Sequence, residues 1–237
     1  MIDLWIPGLL LLLCKLSMAF NPREPPLLHH LQHKRPSHHK LVIFGQIDDK
    51  KEQKNYFVRE ALPPDLGFAS GILADGFFAT RNIFAFQVEK LKTYLSLEAC
   101  FPQFSSKDMH KYLVACDKRN GKVIAFAEVD CRPTKDLKRP TPYMCNLAID
   151  KKWKRKGIAT ALIHECEDIA SKHPPSEGIE NRLYLKVRTT NTAAIKMYEG
   201  QGYSIESSAL ERNPQESNGK EGAQLVHLMS KVLKEIM

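Results

Sequence analysis

Hydrophobic and polar positions alternate in two distinct rhythms from residue 56 onward, and the rhythm switches six times. Runs rich in β-branched and aromatic residues predict strands at 56–61, 112–116, 123–129, 143–149, 183–187, 203–207 and 224–233. Apolar residues at three- and four-residue spacing predict helices at 65–78, 83–100, 157–170 and 192–199. In the second of these the stripe is Ile83, Phe86, Val88, Leu91 and Leu95; in the third it is Ile158, Leu162, Cys166 and Ile169. Asp117-Lys118-Arg119-Asn120-Gly121 separates two strands, and its Asn-Gly pair supplies the positive φ angles of a hairpin turn. Pro133, Pro140 and Pro142 mark a looser connection, and the polar stretch 211–222 reads as a loop. No internal repeat occurs. Strands and helices in this order predict one α/β (α+β) domain over 55–237, with a mixed sheet and helices on both faces.

The 237 residues suffice for one full core plus extra segments, and 43% apolar with 26% charged residues is ordinary for a soluble globular chain. Net charge changes the picture more. At +8, with a pI near 9.1, the chain favours an anionic partner: nucleic acid, an anionic membrane surface or a phosphate-rich cofactor. Much of the excess is local, since Lys151, Lys152, Lys154, Arg155 and Lys156 surround Trp153. Such a run elsewhere would be a solvated loop or a localisation signal. Cysteines 14, 100, 116, 131, 145 and 166 include no CxxC pair, so neither a zinc knuckle nor a thioredoxin-like site is suggested. Buried free thiols in a reducing compartment are the expectation.

Residues 1–19 read as a signal-peptide-like leader, with a leucine run at 9–13 and Ser17-Met18-Ala19 as its exit. The apolar stretch is short for a transmembrane span, and no stable span is expected in the mature protein. Asp3 and the lack of Lys or Arg depart from the usual start of a signal peptide, so an uncleaved anchor stays open as an alternative. Residues 20–54 are basic and rich in His and Pro: between 21 and 47 the one acid is Glu24. Histidines 29, 30, 33, 38 and 39 could bind metal, but the neighbouring prolines favour a transit-like or disordered segment. An Ala19–Phe20 boundary resembles the bipartite plastid leaders of algae such as diatoms. The expected location is therefore a plastid, with the secretory pathway or cytoplasm as alternatives.

Two stretches carry the chemistry. Lys154-Arg155-Lys156-Gly157-Ile158-Ala159 follows a strand and opens a helix, which makes a phosphate cradle: helix N–H groups lack partners there, and small residues admit a ligand. It is neither a nucleotide P-loop nor a dinucleotide fingerprint, because both glycine spacings are missing. The second stretch runs from Asn191 to Tyr203 as Asn-x-x-Ala-x-x-x-Tyr-x-x-x-Gly-Tyr, again after a strand. Together they resemble the GNAT superfamily of acyltransferases, whose motifs are [RQ]-x-x-G-x-[GA] and Asn-x-x-Ala-x-x-x-Tyr-x-x-x-Gly-[Phe/Tyr]. The resemblance covers 56–233, and Lys154 replaces the usual Arg or Gln while keeping a cation. The text of strand 143–149 is most similar to plant and cyanobacterial-type plastid members, some acting on protein N-termini or lysines and some on arylalkylamines.

The resemblance implies a mostly antiparallel sheet whose splayed central strands hold acetyl-CoA as co-substrate. It implies acetyl transfer to a primary amine by direct attack in a ternary complex. The acceptor would be a protein N-terminal α-amine, a lysine side chain, or a small amine. The backbone of Leu147, Ala148 and Ile149 would pair with the pantetheine arm. Lys154, Arg155, Lys156, Gly157, Ile158, Ala159 and Thr160 would hold the pyrophosphate, and Asn191 would also touch the cofactor. Tyr198 would protonate the leaving thiolate, a phenol of pKa about 10 serving a thiolate near 8.5; its alternative is a packed core tyrosine. The base would be Glu128, or Tyr143 acting through water. Glu128 reads equally as an outward-facing strand residue in a salt bridge. Lys186 stands where certain relatives carry a catalytic histidine, and His164 reads as solvated or ion-paired among Glu165, Glu167 and Asp168. No metal is implied. Nucleic acid is not expected, because no aromatic platform is interleaved with the cations. A non-catalytic acyl-CoA-binding module is the remaining rival.

Overall fold

The computed structural model describes residues 54–78, 82–102, 108–134, 140–174, 179–212 and 223–233. The leader, the His/Pro-rich segment up to residue 53, and most of the predicted 211–222 loop lie outside these residues. Seven strands form one sheet: β1 (Tyr56–Glu60), β2 (His110–Asp117), β3 (Val123–Asp130), β4 (Tyr143–Ile149), β5 (Arg182–Arg188), β6 (Ser204–Arg212) and β7 (Ala223–Val232). Their order is β1-β2-β3-β4-β5-β7-β6. Every neighbouring pair is antiparallel except β4 and β5. The helices are α1 (Leu66–Phe77), α2 (Ile83–Ala99), α3 (Ile158–Ser171) and α4 (Thr192–Gly200).

The sheet is covered on both faces, as predicted. On β2, Tyr112, Val114 and Cys116 join Leu66, Ala69 and Leu73 of α1 and Leu97 of α2 in one apolar cluster. Their strand neighbours Leu113 and Ala115 join Ile158, Leu162 and Cys166 of α3 and Tyr198 of α4 in the other. This is the two-residue period of a strand buried on both sides. It explains why β2 and β3 read as near-continuous apolar runs.

Several local expectations shift. The predicted stripe of α2 does not form the core contact: Ile83 is 79% exposed and Leu91 58%, and Leu97 is the residue α2 buries. Strand β6 runs five residues beyond 207, into the predicted loop, pairing with β7 as far as Arg212↔Ala223. Positions 204–210 are all exposed, so this edge strand lacks the apolar alternation that would have marked it. In the β2–β3 turn the positive φ belongs to Gly121 alone (φ 70), not to Asn120. Among the cysteines, 116, 131 and 166 are buried as expected, Cys145 is half-buried and Cys100 is exposed. Burial pushes the Cys131 thiol up to about 12 and Cys166 well above its ordinary value, so both stay protonated. Among the described residues no helix is long and apolar enough to cross a membrane.

Candidate active site

The sheet opens at its one parallel junction. Strands β4 and β5 meet at Tyr143↔Tyr184 and then diverge. Between Glu128↔Cys145 and Phe126↔Ala148, β4 carries one residue more than β3, so a bulge sits at Asn146-Leu147. Asn146 takes the left-handed conformation there (φ 55). Leu147 belongs to the bulge, and beyond it Ala148 and Ile149 are again paired with β3 through Phe126↔Ala148 and Ala125↔Ile149. Among the described residues their backbone has no pairing with β5. The expected pantetheine strip thus presents an unpaired edge.

That edge leads into the basic run. Asp150 caps a short 3-10 turn, Lys151–Trp153, by accepting from the Lys152 amide at 2.9 Å. Arg155 (φ 60) and Gly157 (φ 73) are left-handed, and α3 begins at Ile158 with no side-chain cap. Gly157 is required here by its φ; a Cβ would also meet the buried Tyr56 hydroxyl at 3.7 Å. Lys154, Arg155 and Lys156 are exposed, Ala159 and Thr160 half-buried. Lys156 Nζ lies 4.5 Å from the Trp153 ring centroid, and Lys151 pairs with Asp75 at 2.6 Å. An uncapped helix start with left-handed residues before it and exposed cations around it fits a pyrophosphate.

Asn191 caps α4, its Oδ1 accepting from the Ala194 amide at 3.3 Å. Tyr198 is buried on the α3 side of the sheet, its ring edge-on to Tyr203 with centroids 5.8 Å apart. Burial raises its phenol well above the ordinary value.

The opposite face holds the remaining polar groups. Glu128 is not outward-facing: it is 8% exposed. Its hydrogen-bond partner is His110, whose Nε2 lies 2.9 Å from Oε1, and the Asn146 amide donates to Oε2 at 2.6 Å. Burial pushes the Glu128 carboxyl up, but the bonds from His110 and Asn146 outweigh it and hold the group below the usual carboxylate range. Tyr143 is buried at the start of β4, opposite Asp130. A cavity of about 500 Å³ opens beside this cluster, lined by Leu73, Phe77 and Phe78, by Glu89, Lys92, Thr93, Ser96 and Leu97 of α2, and by Asn146 and Arg188. Lys92 pairs with Glu89 at 2.9 Å and Lys186 with Glu211 at 2.6 Å. His164, itself exposed, pairs with the buried Glu167 at 3.3 Å, in line with the ion-paired reading.

Glu128 thus stands one side chain behind the cavity, through Asn146, while Tyr198 packs on the other face of the sheet. His110, Asn146 and Arg188 went unnoticed in the sequence. Asn146, a lone amide within an apolar strand text, was the one visible signal.

Residues 78–203, more than half the chain, match the Acetyltransferase (GNAT) family, and the chain belongs to that family. It is similar to the [ribosomal protein bS18]-alanine N-acetyltransferase of Escherichia coli K12, 32% identical over 110 residues, covering 46% of this chain and 66% of that protein. It is also similar to the chloroplastic GCN5-related N-acetyltransferase 5 of Arabidopsis thaliana, 29% identical over 73 residues, 31% of this chain and 22% of that one. The chain thus spans less than two thirds of either relative. In fold it matches a GNAT superfamily phosphinothricin acetyltransferase from Sinorhizobium meliloti solved in complex with acetyl-CoA, with a TM-score of 0.54, 15% identity, 76% of this chain and 89% of that one.

Proposed function

We propose that this protein is an acetyl-CoA-dependent N-acetyltransferase whose acceptor is a protein N-terminal α-amine, a lysine side chain, or both. The observation that carries the reading is the parting of β4 and β5 after Tyr143↔Tyr184, with an uncapped, cation-rich helix start at one end and an amine-sized cavity on one face. Acetyl-CoA, when bound, supplies an activated acetyl thioester. The chain's part begins with Leu147, Ala148 and Ile149, whose backbone would hold the pantetheine as an added strand. Backbone amides from Arg155 to Thr160, with Lys154 and Lys156, would hold the phosphates, and Asn191 would steady the same arm.

The acceptor nitrogen must be unprotonated to attack, so a base has to take its proton. Glu128, ionised at neutral pH, or Tyr143, in either case through an ordered water, fills that role. As the amide C–N bond forms and the C–S bond breaks, Tyr198 gives its proton to the thiolate. Burial keeps it protonated until then but also makes it a weaker acid, so the transfer requires the phenol to be hydrogen-bonded to the sulfur as the C–S bond breaks. The cavity of about 500 Å³ favours a second reading, a small-amine acceptor lodged between the helices and Asn146 and Arg188. A plastid location draws support from the chloroplastic relative, with residues 1–19 and 20–54 as leader and transit-like segment and 55–237 as the catalytic domain.

The test is to incubate the full chain with acetyl-CoA and a panel of N-terminal peptides, lysine peptides and arylalkylamines, reading products by mass spectrometry. Acetylated peptides are expected, with kcat lowered about 100-fold in Tyr198→Phe. Products from amines alone would move the acceptor to small molecules. Acetyl-CoA binding without product would point to a non-catalytic module.

A further inference from the structure

Asn146 sits at a strained position that serves no turn. It is a non-glycine residue at φ 55 inside a strand, on the extra residue of a bulge. Asparagine tolerates this region better than other side chains, yet the conformation is still strained. The bulge turns its side chain toward the cavity, which it lines together with Thr93, Ser96 and Arg188. Its amide is not free to choose an orientation there. The contact at 2.6 Å is with a Glu128 carboxylate oxygen, which only accepts, so the NH₂ end must face Glu128. Glu128 is itself held at its other oxygen by His110, which is 1% exposed. A buried imidazole and a buried carboxylate thus fix one amide, and leave its carbonyl oxygen for the cavity.

We infer that the Asn146 side-chain carbonyl takes hold of the acceptor amine, and that Glu128 and His110 position it. This deepens the proposed acetyl-transfer reading and rests on it. The chemistry has a reason to use an amide. A carboxylate in direct contact would stabilise the ammonium form and oppose loss of its proton. A neutral carbonyl accepts an N–H from the amine with a weaker preference for the charged form. The negative charge stands one residue further back, within reach through the amide or a water. The site therefore fits a primary amine, which keeps one N–H for Asn146 while its lone pair attacks.

Asn146→Gly is the informative variant, because glycine accepts φ 55 and removes the side chain alone. The probe is the peptide or amine that the wild-type full chain acetylates fastest, followed both by turnover and by calorimetric binding to the CoA-loaded chain. Asn146→Gly is expected to raise the acceptor KM and Kd about tenfold with acetyl-CoA Kd unchanged, and to lower the thermal midpoint through the lost bond to Glu128. Asn146→Asp is expected to bind the acceptor at least as tightly, lower kcat, and move the rising limb of the pH–rate profile upward. His110→Leu should raise the acceptor KM as Asn146→Gly does, and His110→Gln, which keeps a donor to Glu128, should restore it. An acceptor KM and Kd within twofold of wild type in Asn146→Gly would overturn the inference, as would an equal loss of acetyl-CoA affinity. If no acceptor in the panel is turned over, calorimetry with the N-terminal peptide still decides. Asn146-dependent binding then keeps the clamp while acetyl transfer fails, and Asn146-independent binding removes both.

Discussion

Glu128 is a carboxylate that folding makes more acidic despite being taken out of water. Burial alone would raise its pKa; the bonds from His110 and Asn146 overcome that and lower it. A carboxyl whose folded pKa is depressed contributes stability above its unfolded pKa, about 4.3, and that contribution is lost as pH falls through the folded value. Asp65, bound by Arg59, and Asp130, bound by Arg132, are shifted in the same sense. Glu128→Gln should therefore cost about 2 kcal/mol at pH 7, with the gap to wild type closing below about pH 4. Urea melts at pH 7, 5 and 3 would check this; a gap that widens in acid would mean the carboxyl is protonated in the folded state. Of this constellation the sequence shows Glu128 and the lone amide of Asn146, but not that they meet. Its three members stand eighteen residues apart in succession, and they meet through the β2–β3–β4 register and a one-residue bulge. By contrast, Lys154–Thr160 and Asn191–Tyr203 each lie within one turn or helix, so their chemistry is written in local spacing.

The same division holds for whole elements. Strands β2, β3 and β4 were legible because burial on one or both faces left apolar runs, and α3 because its stripe is the one it buries. Helix α2 was placed correctly but its face was misjudged. Its apolar residues surround the axis, and only the fold decides that Leu97 points inward while Ile83 and Leu91 do not. The start of α3 is where an element's geometry bears directly on binding. Gly157 at φ 73 ends the loop and leaves the first helical amides open. Gly157→Ala should cost about 1–2 kcal/mol of stability through the left-handed conformation, and weaken acetyl-CoA binding by moving those amides. Gly200→Ala is the matched control: that glycine ends α4 with open space around its Cβ position, so the change should leave stability the same or raise it by up to about 1 kcal/mol. Thermal melts and acetyl-CoA titration of the pair separate the two effects. Equal acetyl-CoA affinity in both variants would remove the helix start from the binding site.

At the scale of the molecule, the net charge of +8 gains a location. Many of the basic side chains are answered: Arg59 by Asp65, Arg119 by Asp117, Arg132 by Asp130, Arg182 by Glu180 and Glu206, Lys231 by Glu167. Lys152, Lys154, Arg155 and Lys156 are exposed, and of these Lys156 is near enough to act on an acid, Asp117. They stand together at the α3 start, at the end of the β4 edge where the 3′-phosphate and pyrophosphate of acetyl-CoA would lie. A charge excess placed there should act through screening. Raising salt from about 0.05 to 0.5 M shortens the Debye length from roughly 14 Å to 4 Å. The acetyl-CoA Kd should then rise about tenfold, an effect of the size expected for several exposed cation–phosphate contacts. S-acetylpantetheine, which lacks the phosphates but keeps the arm that Leu147 to Ile149 would pair, should bind weakly and with little salt dependence. Lys154→Ala together with Lys156→Ala should flatten the acetyl-CoA slope and leave the pantetheine affinity alone. If both ligands answered salt equally, the basic loop would not be reading the phosphates. Its charge would then have to serve another anionic partner, and nucleic acid would return as the first one to test.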